Sequence, residues 1–183
     1  MTTKEFEQKI KRVLITEEEI QAKVREVGAQ ISREYEGKPL LLVSILNGAF
    51  VFMADLCRAI TIPCETAFMC AKSYYNGTSS SGIVKITMDL MQDISGYHVI
   101  IAEDIIDSGL TLKYLLKNLQ SREPASLTVA ALMRKDTSAQ ADIPCRYIGF
   151  ECPDEFIVGY GLDFAEHYRN LPYIGVLKPE IYQ

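Results

Sequence analysis

No stretch of this chain is long and apolar enough to span a bilayer; its longest apolar runs, Pro39–Leu46 and Val99–Ala102, are far too short. The first residues, Met1–Arg12, are charged and polar, without an apolar core or a small-residue cleavage site, and are read as no secretory signal. An excess of basic charge is also missing. The 19 Lys and Arg stand against 24 Asp and Glu, a net charge of −5, so no global basic field points to nucleic acid. Any anionic ligand is then held by local features. The five cysteines, Cys57, Cys64, Cys70, Cys145 and Cys152, are odd in number and contain no C-x-x-C pair. That argues against a disulfide framework or metal cluster and for thiols in a reducing cytoplasm. Repeats, low-complexity tracts and Gly/Ser/Pro-rich linkers are absent as well. With 183 residues, 48% hydrophobic and 23% charged, the expectation is one globular domain over residues 1–183.

What is present is an alternation of helical and strand patterns. Thr16-Glu17-Glu18-Glu19 has the form of a capping box, and Ile20, Val24, Val27 and Ile31 follow at helical spacing, which predicts a helix from Thr16 to Tyr35. Lys38-Pro39 breaks into the continuous apolar run Leu40–Leu46, suited to a buried parallel strand. Asn47-Gly48 turns the chain into a helix at Ala49–Ile60. Strands are expected at Cys64–Ala71, Ile83–Leu90, Tyr97–Ala102 and Ser126–Met133, with shorter ones at Ile148–Phe150, Phe156–Val158 and Ile174–Leu177, and a helix at Leu110–Gln120. The polar stretch Tyr75–Gly82 reads as a mobile loop. The whole pattern predicts an α/β fold with a largely parallel sheet flanked by helices. In such sheets ligands bind beyond the carboxyl ends of the strands, so chemistry is sought directly after each strand.

The richest such segment is Glu103-Asp104-Ile105-Ile106-Asp107-Ser108-Gly109-Leu110-Thr111. A buried strand runs straight into paired carboxylates, which repel each other unless a ligand or a metal uses them. Ser108 to Thr111 open a helix, whose N-terminal N–H groups and flanking hydroxyls make a phosphate cradle. Glu103 and Asp104 suit sugar hydroxyls or a hard cation such as Mg²⁺. Asp107 lies between the two groups, placed to act as a base.

This segment resembles the phosphoribosyl-diphosphate (PRPP) signature of the type I phosphoribosyltransferases, and its E-D-I-I-D-S-G form is similar to the hypoxanthine-guanine branch. The likeness runs from about Leu40 to Arg169. It implies that Glu103 and Asp104 contact the ribose and its Mg²⁺, that Ser108, Gly109, Leu110 and Thr111 bind the 5′-phosphate, and that Asp107 is the base facing purine N7. Leu46-Asn47-Gly48 resembles the diphosphate loop of the family, often with a non-proline cis peptide. Asn47 stands where many members are basic, so binding there falls to the backbone. Lys72-Ser73-Tyr74 resembles the Ser-Tyr lid, Lys135 the lysine that donates to purine O6, and Phe156–Asp163 the purine clamp. In the clamp Phe156 stacks on the base, Ile157 offers backbone groups and Asp163 orients a metal-bound water. Arg169 matches an arginine on the diphosphate. His98 and His167 match no catalytic position.

The resemblance thus implies a type I phosphoribosyltransferase-like core at about 37–150, with a small hood built from the N-terminal and C-terminal segments. It implies Mg²⁺ as cofactor, PRPP and a 6-oxopurine base as ligands, and a homodimer or homotetramer. A Lys135 donor favours a carbonyl at C6 and disfavours adenine. Two other readings are a phosphoribosyltransferase for xanthine or a pyrimidine, and a non-catalytic nucleotide-binding regulator on the same fold.

Overall fold

A computed structural model describes residues 3–76, 79–135 and 142–182, excluding the side chains of residues 3–4, 72–76 and 79–83. Its elements are α1 (Thr3–Glu7), β1 (Ile10–Ile15), α2 (Glu17–Glu34), β2 (Leu40–Leu46), α3 (Phe50–Ala59), β3 (Glu65–Asn76) and β4 (Ser79–Met88). They continue with β5 (His98–Ile106), α4 (Leu110–Gln120), β6 (Ser126–Lys135), β7 (Cys145–Cys152), β8 (Ile157–Val158), β9 (Ile174–Leu177) and a closing 3₁₀ turn, Pro179–Ile181. Among the described residues no helix is long and apolar enough to cross a membrane.

Six strands form the main sheet in the order β4-β3-β2-β5-β6-β7. All neighbouring pairs are parallel except β3 and β4. The continuous apolar run of β2 is explained by its central place: it pairs with β3 and β5, and Leu40–Ile45 lie buried. One face of the sheet carries α2 and α3. Ile20, Val24, Val27 and Ile31 of α2 pack with Phe52, Met53 and Leu56 of α3 onto Leu40, Leu42, Ile100 and Leu132. Each such burial contributes about 1.5–3 kcal/mol. The capping box forms as expected: Glu19 N–H donates to Thr16 Oγ1 at 3.3 Å, and Thr16 N–H donates to Glu19 Oε2 at 2.8 Å. The opposite face carries α4, with Leu112, Leu115, Leu116 and Leu119 against Leu41, Val43, Val99, Ile101 and Val129.

A second, three-stranded antiparallel sheet, β1-β9-β8, makes the hood. The sequence pattern predicts no strand at Ile10–Ile15. Its alternation is hidden because Lys11, Arg12 and Val13 are all exposed. Lys11 and Arg12 both pair with Glu155, just ahead of β8, adding ion pairs between the two ends of the chain to the β1–β9 and β9–β8 ladders. The expected N-terminal helix, α2, packs on α3 and the main sheet, so the N-terminal contribution to the hood sheet is β1.

The Tyr75–Gly82 loop expectation fails on the described residues. Tyr75 and Asn76 continue β3, and Ser79 to Gly82 belong to β4, with Tyr75 paired to Ser80 and Asn76 to Ser79. Gly, Ser and Asn read as turn formers in isolation, but ladder hydrogen bonding to a neighbouring strand overrides that preference. β7 is also longer than its apolar Ile148–Phe150 centre, because it extends along β6 from Cys145 to Cys152.

Candidate active site

The parallel strands run β3-β2-β5-β6-β7, so chain order reverses between β2 and β5. Loops leaving these two strands diverge and open a crevice at their carboxyl ends. The first wall is the end of β2, where the Leu46–Asn47 peptide bond is cis. Asn47 is exposed, and its carbonyl accepts the Phe50 N–H at 3.3 Å as α3 begins. Gly48 is required by close approach: a Cβ there would stand 1.8 Å from Asp104 Oδ2.

The second wall is the end of β5. Asp104 faces Gly48, and Glu103 lines a cavity of about 150 Å³ with Ile105 to Leu112. Burial pushes the Glu103 carboxyl well up, and the Asp104 charge pushes it further. Asp104 is also raised, chiefly by burial and also by Asp163, against the opposing pull of the Ile105 N–H and Arg169. The turn that follows reaches α4 through Gly109, a left-handed N-cap with φ 71° and no side chain to cap with. Neither Asp107 nor Ser108 is therefore the N-cap of α4, and the cavity bounded by Ser108, Gly109, Leu110 and Thr111 sits at the positive end of an eleven-residue helix.

A second cavity, about 200 Å³, is lined by Ile105, Asp107, Lys135, Glu155, Phe156, Ile157 and Leu162. Lys135 arrives from the end of β6, and its Nζ lies 3.5 Å from Asp107 Oδ1. Phe156 is 37% exposed. Its ring stacks on Tyr182 at 4.8 Å and meets Phe164 edge-on at 5.6 Å. The C-terminal turn thus backs the proposed clamp residue.

The third wall is the irregular segment between β8 and β9. Its Gly161, at φ 99°, leaves room for the Gly48 carbonyl, which a Cβ there would approach to 2.2 Å. Arg169 donates to the Gly161 carbonyl at 2.8 Å and pairs with Asp163 at 2.9 Å and Glu166 at 3.0 Å. Asp163 is further tied by the Glu166 N–H at 2.9 Å. Gly161 lies against the Gly48 carbonyl and so brings Arg169 and its partner Asp163 to the crevice, where their charges act on Asp104 in opposite senses.

The structure therefore brings together Asn47, Gly48, Asp104, Asp163 and Arg169 on one side, and Glu103, Asp107 to Thr111, Lys135, Phe156 and Ile157 on the other. Ser73 and Tyr74 lie on β3, and their side chains fall outside the described residues. His98 hydrogen-bonds Ser126 at 2.7 Å and His167 meets Phe6 edge-on, away from this chemistry. Glu155, which lines the second cavity, and Tyr182, which backs Phe156, are not expected from the sequence. Each is an ordinary residue type there, and only hood folding brings it to the cavity or to Phe156.

Mg²⁺ fits this donor set in a particular way. Among the described residues no three His, Cys, Asp or Glu side chains converge as a metal cage. Two crowded, half-buried carboxylates whose ionised forms are disfavoured suit a hard cation that keeps most of its ligands from water and substrate phosphates.

A helix-end anion cradle beside paired carboxylates at the switch point of a parallel sheet, roofed by a small antiparallel sheet, is the layout of the phosphoribosyltransferase class. A model of the phosphoribosyl transferase domain matches residues 14–165. A hypoxanthine-guanine phosphoribosyltransferase of Bacillus subtilis is 51% identical over 174 residues, covering 95% of this chain and 97% of that protein. One from Mycobacterium tuberculosis is 49% identical over 180 residues, covering 95% and 89%. The crystal structure of a hypoxanthine phosphoribosyltransferase from Staphylococcus aureus superposes with a TM-score of 0.95 at 46% identity, covering 100% of both chains. The chain belongs to the hypoxanthine-guanine phosphoribosyltransferase family.

Proposed function

We propose that this chain is a purine-salvage transferase that moves the 5-phosphoribosyl group of PRPP to N9 of hypoxanthine or guanine, giving IMP or GMP and diphosphate. One observation carries the reading: Asp107 lines both the helix-end cavity and the cavity of Lys135 and Phe156. A phosphate seated at Ser108–Thr111 and a base seated beside Phe156 then share one carboxylate between them.

The roles follow from that placement. The Ser108–Thr111 backbone and hydroxyls anchor the 5′-phosphate, remote binding that positions C1′ for attack. Glu103 and Asp104 hold the ribose hydroxyls and, with Asp163, are the residues that would hold a Mg²⁺ ion, which when bound would supply charge neutralisation for the diphosphate. Arg169 and the Asn47-Gly48 backbone bind the same diphosphate. The C1′–diphosphate oxygen bond breaks and the N9–C1′ bond forms, while Asp107 takes or holds the N7 proton. Lys135, held against Asp107 in the free protein, donates to the C6 carbonyl. Phe156 stacks on the base, Ile157 offers its backbone to the base edge, and Ser73-Tyr74 closes over the reacting centre. Five free thiols support a reducing, cytoplasmic setting.

The test offers hypoxanthine, guanine, xanthine, adenine and uracil separately with PRPP and Mg²⁺, to the native chain and to Asp107→Asn. IMP and GMP form, adenine and uracil are inert, chelation of the metal stops turnover, and the variant loses about 10²–10⁴-fold in kcat. Turnover confined to xanthine or uracil overturns the base assignment. PRPP binding without turnover of any base points to a regulator.

A further inference from the structure

Tyr160, in the segment between β8 and β9, reaches back to the helical layer. It lies between Gly159 and Gly161, and all three have positive φ, 101°, 50° and 99°. A tyrosine rarely takes that conformation without being held in it. Its ring is buried, and its hydroxyl donates to Asp55 Oδ2 on α3 at 2.7 Å. The same Oδ2 accepts Gln21 Nε2 of α2 at 2.8 Å, and Arg58 lies 3.5 Å from Oδ1. Burial and the Asp55 charge push the Tyr160 phenol up, so it remains a donor.

What Tyr160 holds in place is next to it. Its N–H donates to the Leu171 carbonyl at 2.9 Å. Gly161 is gripped by Arg169 from both directions, through Gly161 N–H to the Arg169 carbonyl at 2.9 Å and Arg169 Nη1 to the Gly161 carbonyl at 2.8 Å. Gly161 also packs on the Gly48 carbonyl. Helix α3 starts at Phe50, two residues after Gly48, and carries Asp55. One rigid helix thus sets both edges of the crevice, the Gly48 loop at its amino end and the Arg169 segment through Asp55.

We propose that Tyr160 and Asp55 are positioning residues that fix the spacing between the Arg169 segment and the Gly48 loop, and so set the affinity for the diphosphate group of the substrate. This rests on the reading that Arg169 and Gly48 bind diphosphate. A charge-assisted hydrogen bond is strong enough to hold such a spacing, and a displacement of about 1 Å in a binding group is felt in affinity.

The test measures KM for PRPP, inhibition by diphosphate, KM for hypoxanthine and the urea midpoint in Tyr160→Phe, Asp55→Ala, Asp55→Asn, the double variant and Arg169→Gln. Tyr160→Phe and Asp55→Ala each weaken PRPP and diphosphate by on the order of tenfold and leave the hypoxanthine KM unchanged. The double variant is no worse than either single one, and Asp55→Asn, which keeps an acceptor oxygen, recovers most of the loss. Unchanged PRPP and diphosphate values in Tyr160→Phe and Asp55→Ala overturn the proposal, whatever the urea midpoint does. If Tyr160→Phe does not fold, the contrast between Asp55→Ala and Asp55→Asn decides it in the same way. Arg169→Gln separates the two readings. Weak diphosphate binding there with normal binding in Tyr160→Phe defeats the positioning role alone, and normal binding in Arg169→Gln defeats the diphosphate reading on which that role rests.

Discussion

Two glycines that meet over the crevice differ in what they meet, and this separates function from stability at the residue scale. A Cβ at Gly48 would collide with Asp104 Oδ2, the far end of a side chain that can turn away. Gly48→Ala is therefore expected to cost little stability, within about 1 kcal/mol, yet to displace a carboxylate from its working position. The kcat/KM for PRPP falls by on the order of 10²-fold. A Cβ at Gly161 would instead meet a backbone carbonyl, at a φ of 99°. Gly161→Ala lowers the urea unfolding midpoint, with about 1–3 kcal/mol from the backbone conformation alone. Measuring both quantities in both variants checks the distinction, and equal stability losses would contradict it. Asp107 and Lys135 show a related division. Each is unremarkable in the linear sequence after its own strand, and they become a pair because β5 and β6 run parallel and in register, Ile106 beside Arg134.

At the scale of elements, what matters is how each end is tied. α2 and α3 cross so closely that a Cβ on Gly28 would lie 2.7 Å from the Ala59 Cβ, and the Ser32 hydroxyl bridges the Gly28 carbonyl and the Thr61 N–H. α2 is also fixed to β7 by the Tyr147 hydroxyl on Glu34 at 2.5 Å. On the other face, Arg122, just past α4, holds Asp89 at the end of β4 at 2.7 Å. The Arg122 hydrogen bond keeps the Asp89 carboxyl below its ordinary range, against a partial desolvation that pushes the other way. A folded pKa below the unfolded one means that the contribution is present above the unfolded value and is lost as pH falls through the folded one. The pair is partly exposed, so it contributes only about 0.2–1 kcal/mol. Asp89→Asn is expected to lower the unfolding free energy measured in urea by that amount at neutral pH and by nothing in acid below the carboxylate range. A difference that persists in acid would assign the effect to packing.

For the whole molecule, the hood and the main sheet share one apolar body. Ile15, Ile157, Ile174 and Val176 of the hood strands lie in the same cluster as Leu40, Leu42 and Ile100. The proposed ligands span the crevice between Gly48, Asp104 and the Arg169 segment, so they bind only the assembled fold. Mg²⁺ with PRPP at about a hundred times its dissociation constant should stabilise the chain by about 2.7 kcal/mol, and each component alone by less. Thermal unfolding with and without each component checks this, and no upward shift would contradict a site built across the two parts.

The sequence by itself determined most of the main sheet and the segments proposed to carry the chemistry, because both are local signals. The apolar runs of β2 and β5, the helical spacing of α2 and the array from Glu103 to Thr111 are readable within a dozen residues, and all appear where expected. β1 and the outer ends of β3 and β4 were not readable, although the inner parts of both β3 and β4 were expected as strands. An exposed, charged strand and a Ser- and Gly-rich strand end become strands only by hydrogen-bonding to a distant or neighbouring partner, and that partner is not encoded locally. The same holds for the site. Its residue types were legible, but tertiary structure alone decided that Gly48 packs on Asp104, that Gly161 packs on Gly48, that Lys135 meets Asp107 and that Tyr160 reaches Asp55. Those are contacts between strands, helices and loops far apart along the chain. Strand order and the packing of whole layers set them.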